Sequence, residues 1–489
     1  MSSRNKAAIV AFAVSLISVS LAAQSPLALL QRDIDAILAA PALERGFWGV
    51  LVKTADRDET LYSRNASKLM MPASTMKVVT LAAAAEKLGW DFTYSTRLFT
   101  AGSVKDGVLR GDLVVVGSGD PSFDDWDGIA TRLFAGWATQ LRSSGIREID
   151  GRIVGDDNAF DDEGLGMGWS LDDLAASYSA NVSGLQFNEG SVQLRIAPGT
   201  SVGAKAAVSV TPDYSGLTIR NSIRTGTANS PAVISRRRLP GSSRLELRGS
   251  LPLRMRPFTE TASVENPTLY FATALRRALV AEGIDVRGKA VDIDDVDTPP
   301  ERNATPLATY QSLPLSNLAT TMMKLSQNLF AETLLKTLGI DGDHPTGTAQ
   351  AGVAAVRSVL QSWNIDPTSM VQADGSGLSR YNYITPETMV AILTHIHHDE
   401  RLRSAFETTL PIAGRDGSLE YRMRGTAAEG NARVKTGSLT NVRALAGYVR
   451  TADDETLAFA IFANNYENSA SVITAAADAI VVRLAALRR

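Results

Sequence analysis

Ser74 and Lys77 stand three residues apart, a separation that brings two side chains onto one face of a helix. A serine hydroxyl attacks a carbonyl carbon only when a neighbouring base takes its proton. The four histidines, His344, His395, His397 and His398, have no spacing that suits a Ser-His-Asp arrangement. Lys77 is the alternative base, provided that burial or nearby positive charge lowers its pKa. Ser326 and Asn328 form a second polar pair, and Lys435-Thr436-Gly437 is followed directly by Ser438. Ser326 offers a hydroxyl that can relay a proton to a leaving amine, and Asn328 an amide that can hold a substrate amide and orient Lys77. Lys435 supplies a second charge that would depress Lys77. The chemistry these residue types share is acyl transfer through a serine ester.

Each pattern alone is weak. Ser-x-x-Lys occurs at Ser3/Lys6 as well as Ser74/Lys77, and Ser-x-Asn begins at Ser3, Ser63, Ser179, Ser326 and Ser362. Lys-Thr-Gly occurs once. What carries information is the order of the three motifs and the elements that must present them. Residues 74–88 are rich in Ala and Leu and are followed by Gly89, which predicts a helix beginning at the serine. Residues 315–325 and 329–338 have helical spacing, so Ser326 falls in the connection between two helices. Residues 432–436, 442–450 and 456–464 read as strands, and 470–487 as a closing helix rich in Ala and Val. Further helices are predicted at 26–39, 352–363 and 386–395, and strands at 47–52 and 60–62. Between residues 92 and 299 the texture changes to short strand-like runs at 112–116, 152–154, 192–196, 206–210 and 244–247, broken by Gly, Asp, Ser and Pro. This stretch reads as a largely β insertion, and the basic run Arg236-Arg237-Arg238 within it as solvated surface.

A chain of 489 residues with 44% hydrophobic and 21% charged residues is globular and long enough for two or three domains. A net charge of -3 supplies no general drive toward nucleic acid. The absence of cysteine excludes disulfides, thiolate metal sites and a cysteine nucleophile. The histidines around position 397 lack the carboxylate pattern of a metal helix, and the glycine pairs lack a nucleotide fingerprint, so neither metal nor cofactor is expected. Basic residues up to Lys6, the apolar stretch 7–21 and the small residues Ala22-Ala23 have the layout of an export signal over 1–23. The apolar run is shorter than the ~20 residues a span requires, so no stable membrane span is expected after cleavage. The site of action would be outside the cytoplasm, in the periplasm of a cell with an outer membrane.

The ordered set Ser74/Lys77, Ser326/Asn328 and Lys435-Thr436-Gly437 resembles that of the penicilloyl-serine enzymes. The long insertion, together with Gly117-Ser-Gly-Asp-Pro121, Gly155-Asp-Asp157, residues 169–174, Asp374-Gly-Ser-Gly-Leu378 and Leu410-Pro-Ile-Ala-Gly414, is similar to the penicillin-binding protein 4 type of D-alanyl-D-alanine carboxypeptidase/endopeptidase, of low-molecular-mass class C. That resemblance implies an α/β (α+β) fold: a transpeptidase/serine β-lactamase-like domain with a central antiparallel sheet flanked by helices. It implies three domains, with the catalytic part in 24–95 and 300–489 and two inserted domains, one nested in the other, in 96–299. It implies peptidoglycan stem peptides as substrates and β-lactams as covalent inhibitors.

By the same resemblance, Ser74, Lys77, Ser326, Asn328 and Lys435 are catalytic, and the backbone N–H groups of Ser74 and Ser438 hold the developing oxyanion. Lys435, Thr436 and Ser438 would receive the carboxylate of the leaving D-Ala, with Gly437 between them. Arg380 and Asp172 correspond to residues that bind the free end of a diaminopimelate-type side chain; Asp173 competes with Asp172 for that place. Leu439 and Thr440 would line the same pocket, with Trp169 and Tyr178 on its far wall. A β-lactamase-like hydrolase and a non-catalytic wall-binding relative are the rival readings. The sequence does not encode the oligomeric state.

Overall fold

The structure is a computed structural model, and it describes residues 25–126 and 128–489. The expected export signal lies outside the described residues. The chain builds a mixed α+β fold around an antiparallel five-stranded sheet in the order Arg433–Leu439, Val442–Arg450, Thr456–Asn464, Phe47–Thr54, Thr60–Arg64.

The alternation of side chains along the central strands explains the layers. In Thr456–Asn464, Ala458, Ala460 and Phe462 face one core while Leu457, Phe459, Ile461 and Ala463 face the other. Val442–Arg450 repeats the division, with Ala444, Ala446 and Tyr448 on the first side and Leu445 and Val449 on the second. A strand buried on both faces must be apolar at every position. The large residues meet the terminal helices Pro26–Leu38 and Ala470–Ala485. The alanines admit the helix Met76–Leu88 and its neighbours Leu315–Lys324, Asn328–Leu338, Pro386–His398 and Glu400–Thr409. Met76 to Ala85 of the first of these is buried all round, as a helix at the centre of a domain must be.

Inserted into this body is a mixed seven-stranded sheet that includes Ser95–Lys105, Val108–Val116, Ile153–Asp156 and Ala308–Gln311, with two three-stranded sheets beyond it. Three sequence expectations change here. The insertion is less purely β than its texture suggests, because Ile129–Ser143 and Pro267–Ala281 are helices. Their signals were present: Ala130, Phe134, Trp137, Ala138 and Leu141 form one apolar face, and Asn266 caps the second helix with Pro267 at its first position. The expected boundary at 299/300 also moves. Ala308–Gln311 pairs antiparallel with Ser95–Lys105, and backbone hydrogen bonding therefore joins it to the inserted sheet. Finally, Arg238 is buried rather than solvated, because it pairs with Glu265 and donates to the carbonyl of Leu174 at 2.9 Å and to Ser263 Oγ at 3.0 Å. Among the described residues no helix is long and apolar enough to cross a membrane.

Candidate active site

Ser74 lies in a short 3-10 turn, Ala73–Thr75, immediately before the helix Met76–Leu88 rather than inside it. Ala73 adopts φ +46, a left-handed conformation that costs a residue with a β-carbon of order 1 kcal/mol and persists only where packing dictates it. Packing does so from two sides. A β-carbon on Gly437 would stand 2.6 Å from Pro72 O and 3.1 Å from Ala73 Cβ. One on Gly377 would stand 1.9 Å from Ala73 O. The strand Arg433–Leu439 and the loop after Asp374 thus clamp the serine between two glycines. Ser326 is likewise left-handed, at φ +61, in the tight connection between Leu315–Lys324 and Asn328–Leu338.

Lys77 Nζ is the centre of the cluster. It donates to Ser74 Oγ at 3.1 Å, Asn328 Oδ1 at 2.6 Å and the carbonyl of Ser376 at 2.9 Å. Lys435 Nζ donates to Ser326 Oγ at 2.8 Å and to the carbonyl of Thr436 at 3.0 Å. Both lysines are 0% exposed. Burial brings Lys77 down to about 7, against the pull of the Glu332 and Asp374 carboxylates, which favour its charged form. Burial also lowers Lys435 well below the ordinary lysine range, with the charge of Lys77 as a second cause. Desolvation is the largest cause of the lowering of Lys77, and the two buried lysines disfavour each other's charge. Asp374, buried in turn, accepts from the N–H groups of Gly377 and Ser379, from Asn382 Nδ2 and from the Trp169 indole at 3.0 Å.

A cavity of about 490 Å³ opens over Ser74, Ser326, Asn328, Thr436 and Ser438. Leu439, Thr440, Arg380 and Arg443 also line it, and Ser170, Asp173 and Tyr178 add a wall from the inserted region. Arg380 is fixed by the carbonyl of Thr440 at 2.9 Å, and Asp173 accepts from the Tyr178 hydroxyl at 2.7 Å. The wall also reaches into the lysine cluster: the carbonyl of Tyr178 accepts from Asn328 Nδ2 at 2.7 Å, which turns Asn328 Oδ1 toward Lys77.

The D-Ala-D-Ala carboxypeptidase 3 (S13) family matches residues 30–487. The chain belongs to that family. It is 35% identical over 471 residues to a D-alanyl-D-alanine carboxypeptidase of Actinomadura sp. (strain R39), covering 93% of this chain and 84% of that one. It is 30% identical over 421 residues to the D-alanyl-D-alanine carboxypeptidase DacB of Haemophilus influenzae, covering 86% of this chain and 85% of that one. The crystal structure of penicillin binding protein 4 from Haemophilus influenzae superposes with a TM-score of 0.82 at 27% identity, over 93% of this chain and 99% of that one. The enzyme is accordingly a D-Ala-D-Ala carboxypeptidase of the penicillin-binding protein 4 type, with the corresponding fold.

The structure of this carboxypeptidase brings Ser74, Lys77, Ser326, Asn328 and Lys435 together as three motifs on three elements. Thr436, Ser438, Leu439, Thr440 and Arg380 line the cavity. Gly437 contributes space rather than a contact. Asp172 does not line the cavity and is exposed, its N–H meeting Ser170 Oγ, so Asp173 takes the wall position. Trp169 is not on the wall either; its indole holds Asp374. Sequence reasoning missed Arg443, Ser170 and Glu332. The signal for Glu332 was a charged residue four positions after Asn328 in the apolar run 328–338, where every residue proves buried.

Proposed function

We propose that Ser74 attacks the carbonyl between the two D-Ala residues of a peptidoglycan stem peptide and forms an acyl-enzyme that water then hydrolyses. The observation that carries this reading is the desolvated Lys77 Nζ, 3.1 Å from Ser74 Oγ and titrating near neutrality. As neutral amine it takes the serine proton while Oγ bonds to the carbonyl carbon. Ser326 Oγ, held by Lys435, gives its proton to the D-Ala nitrogen as the C–N bond breaks and takes the proton of the Lys77 ammonium in exchange, which returns Lys77 to the neutral amine. Water attacks the ester with Lys77 again as base, and Ser74 recovers its proton.

Strand geometry supports the oxyanion site. The N–H of Val434 leaves the sheet to reach Pro411 O at 2.9 Å, and hydrogen-bonding direction alternates along a strand. The N–H groups of Thr436 and Ser438 therefore point off the same free edge, where Ser438 N–H can join Ser74 N–H around a developing charge. The hydroxyls of Thr436 and Ser438 in the cavity lining, with the buried Lys435 next to them in the strand, suit the terminal carboxylate. Arg380 and Asp173, which both line the cavity, suit the carboxylate and ammonium of a zwitterionic side-chain terminus, with Leu439 and Thr440 also lining the cavity.

The proposal extends to β-lactams, which would acylate Ser74; a penicillin binding protein 4 from Haemophilus influenzae has been solved with a β-lactam, at 26% identity and a TM-score of 0.76. It extends to cross-linked peptides, whose scissile D-alanyl bond presents the same carbonyl to Ser74. Catalysis is assigned to residues 24–95 and to the part of 300–489 that follows the strand Ala308–Gln311, with two nested inserted domains between them. Residues 1–23 are assigned as a cleaved export signal, placing the enzyme in the periplasm with its substrate. The test is intact-protein mass spectrometry after penicillin treatment, with peptide mapping, alongside D-Ala release from a stem pentapeptide. A stable adduct on Ser74 and loss of both activities in Ser74→Ala support the reading. Rapid turnover of the adduct would point to a β-lactamase, and no adduct with no release to a wall-binding relative.

A further inference from the structure

Lys77 Nζ has three acceptors, and two of them are placed by one helix. Asn328 supplies its own amide oxygen. Glu332, one helical turn later and 4% exposed, accepts the N–H of Gly375 with Oε2 and the N–H of Ser376 with Oε1, both at 2.9 Å. The carbonyl of Ser376 then receives Lys77 Nζ at 2.9 Å. The loop lies directly on the helix, because a β-carbon on Gly375 would stand 2.4 Å from Ala331 O. On its other side Thr80 Oγ1 holds the Gly375 carbonyl at 2.7 Å. Glu332 lines no part of the substrate cavity.

We propose that Glu332 is a positioning residue for the reaction: its carboxylate fixes the Gly375-Ser376 backbone, whose carbonyl in turn holds Lys77 beside Ser74. This rests on the reading of Lys77 as general base. The same carboxylate acts on Lys77 by charge. The charged groups facing the Lys77 ammonium are Glu332 from the helix, Asp374 from the loop and Lys435 from the strand. Glu332 in turn faces Asp374 and Lys77. Burial, with the charge of Asp374 second, raises Glu332 itself to about 7, and to the extent that it is ionised Glu332 keeps Lys77 protonated to higher pH than burial alone would allow.

The test uses Glu332→Gln and Glu332→Asp in the mature enzyme, reading D-Ala release and penicillin acylation against pH. In Glu332→Gln the KM for a stem peptide stays near wild type, since nothing removed touches substrate. The kcat and the acylation rate fall by about tenfold or more, as expected for a displaced base. The acidic limb moves to lower pH by about one unit, because a neighbouring negative charge has gone. Glu332→Asp keeps the charge and shortens the reach, so it loses rate and keeps the limb. A loss of rate in Glu332→Gln without movement of the limb, or wild-type behaviour of both variants, overturns the proposal. If neither variant folds, amide hydrogen exchange of the wild-type segment 372–378 decides. The Gly375 and Ser376 amides must be strongly protected, and exchange at open-loop rates overturns the proposal. Lys77→Ala separates the two levels. Acylation that survives in it removes the base reading itself, whereas an inert Lys77→Ala with a wild-type Glu332→Gln removes only the role of Glu332.

Discussion

Replacing Gly377 with alanine would put a methyl group 1.9 Å from the carbonyl oxygen of Ala73 and 2.4 Å from its carbon. Ordinary contact begins at 3.4 Å, so the loop and the nucleophile turn must separate by about 1.5 Å or share that displacement. Gly377 also sits at φ +84, where a β-carbon adds a cost of about 1–2 kcal/mol. Overpacking adds about 1–3 kcal/mol. A stability of about 5–15 kcal/mol tolerates that sum in most cases, so the variant should fold with a melting temperature lowered by a few degrees. Activity is more sensitive. A displacement of about 1 Å between reacting groups costs on the order of 100-fold in rate, and the Ala73–Thr75 turn carries Ser74 away from a Lys77 that three acceptors hold in place. The assay is the second-order rate of acylation by a fluorescent penicillin, measured beside a thermal melt. A folded Gly377→Ala enzyme that acylates at the wild-type rate would refute the claim that this glycine fixes the nucleophile.

Because burial holds Lys77 down to about 7, the reactive neutral amine accumulates as pH rises through that value; acylation should climb along an acidic limb centred near 7, and Lys77→Arg, which stays charged, should be inert at every pH tested. Asp173→Asn should raise the KM for stem peptides with a free amino group on the third residue, while Asp172→Asn, away from the cavity, should leave it unchanged; the reverse result would restore Asp172 to the wall. Arg238→Ala removes the partner of the half-buried Glu265 and the filling of a buried site, while Ser263 Oγ still donates to the Leu174 carbonyl at 2.6 Å, and should cost about 1–3 kcal/mol in a denaturation experiment. It should also raise KM by loosening the wall that Asp173 and Tyr178 form, and an unchanged KM would disconnect the inserted region from the substrate cavity.

Much of the site was legible in the sequence because its parts are local. The Ser74/Lys77 spacing encodes one helical turn, and the ordered motifs holding Ser74, Lys77, Ser326, Asn328 and Lys435 resemble those of the penicilloyl-serine enzymes, which is what singled out the five proposed catalytic side chains. The layers were legible for the same reason: an apolar strand flanked by apolar strands has to be covered on both faces. The element boundaries were less so. Ser74 falls in a 3-10 turn because Gly377 and Gly437 press on Ala73 from elements distant in sequence, and nothing within residues 70–80 records that pressure.

What only tertiary structure decided is which groups share one buried space. Lys77 and Asn328 are 251 residues apart, yet the orientation of the Asn328 amide depends on the carbonyl of Tyr178, supplied by the inserted region. The presence of Asp173 rather than Asp172 in the cavity lining, the burial of Arg238 and the burial of Glu332 against the Gly375 and Ser376 amides are of this kind. A charged residue reads alike on a surface and in a core until its partners are placed, since its energy is set by desolvation and by donors brought from other elements. Sequence spacing fixes geometry within one element; the pKa and the orientation of a catalytic group are fixed by what packs around it.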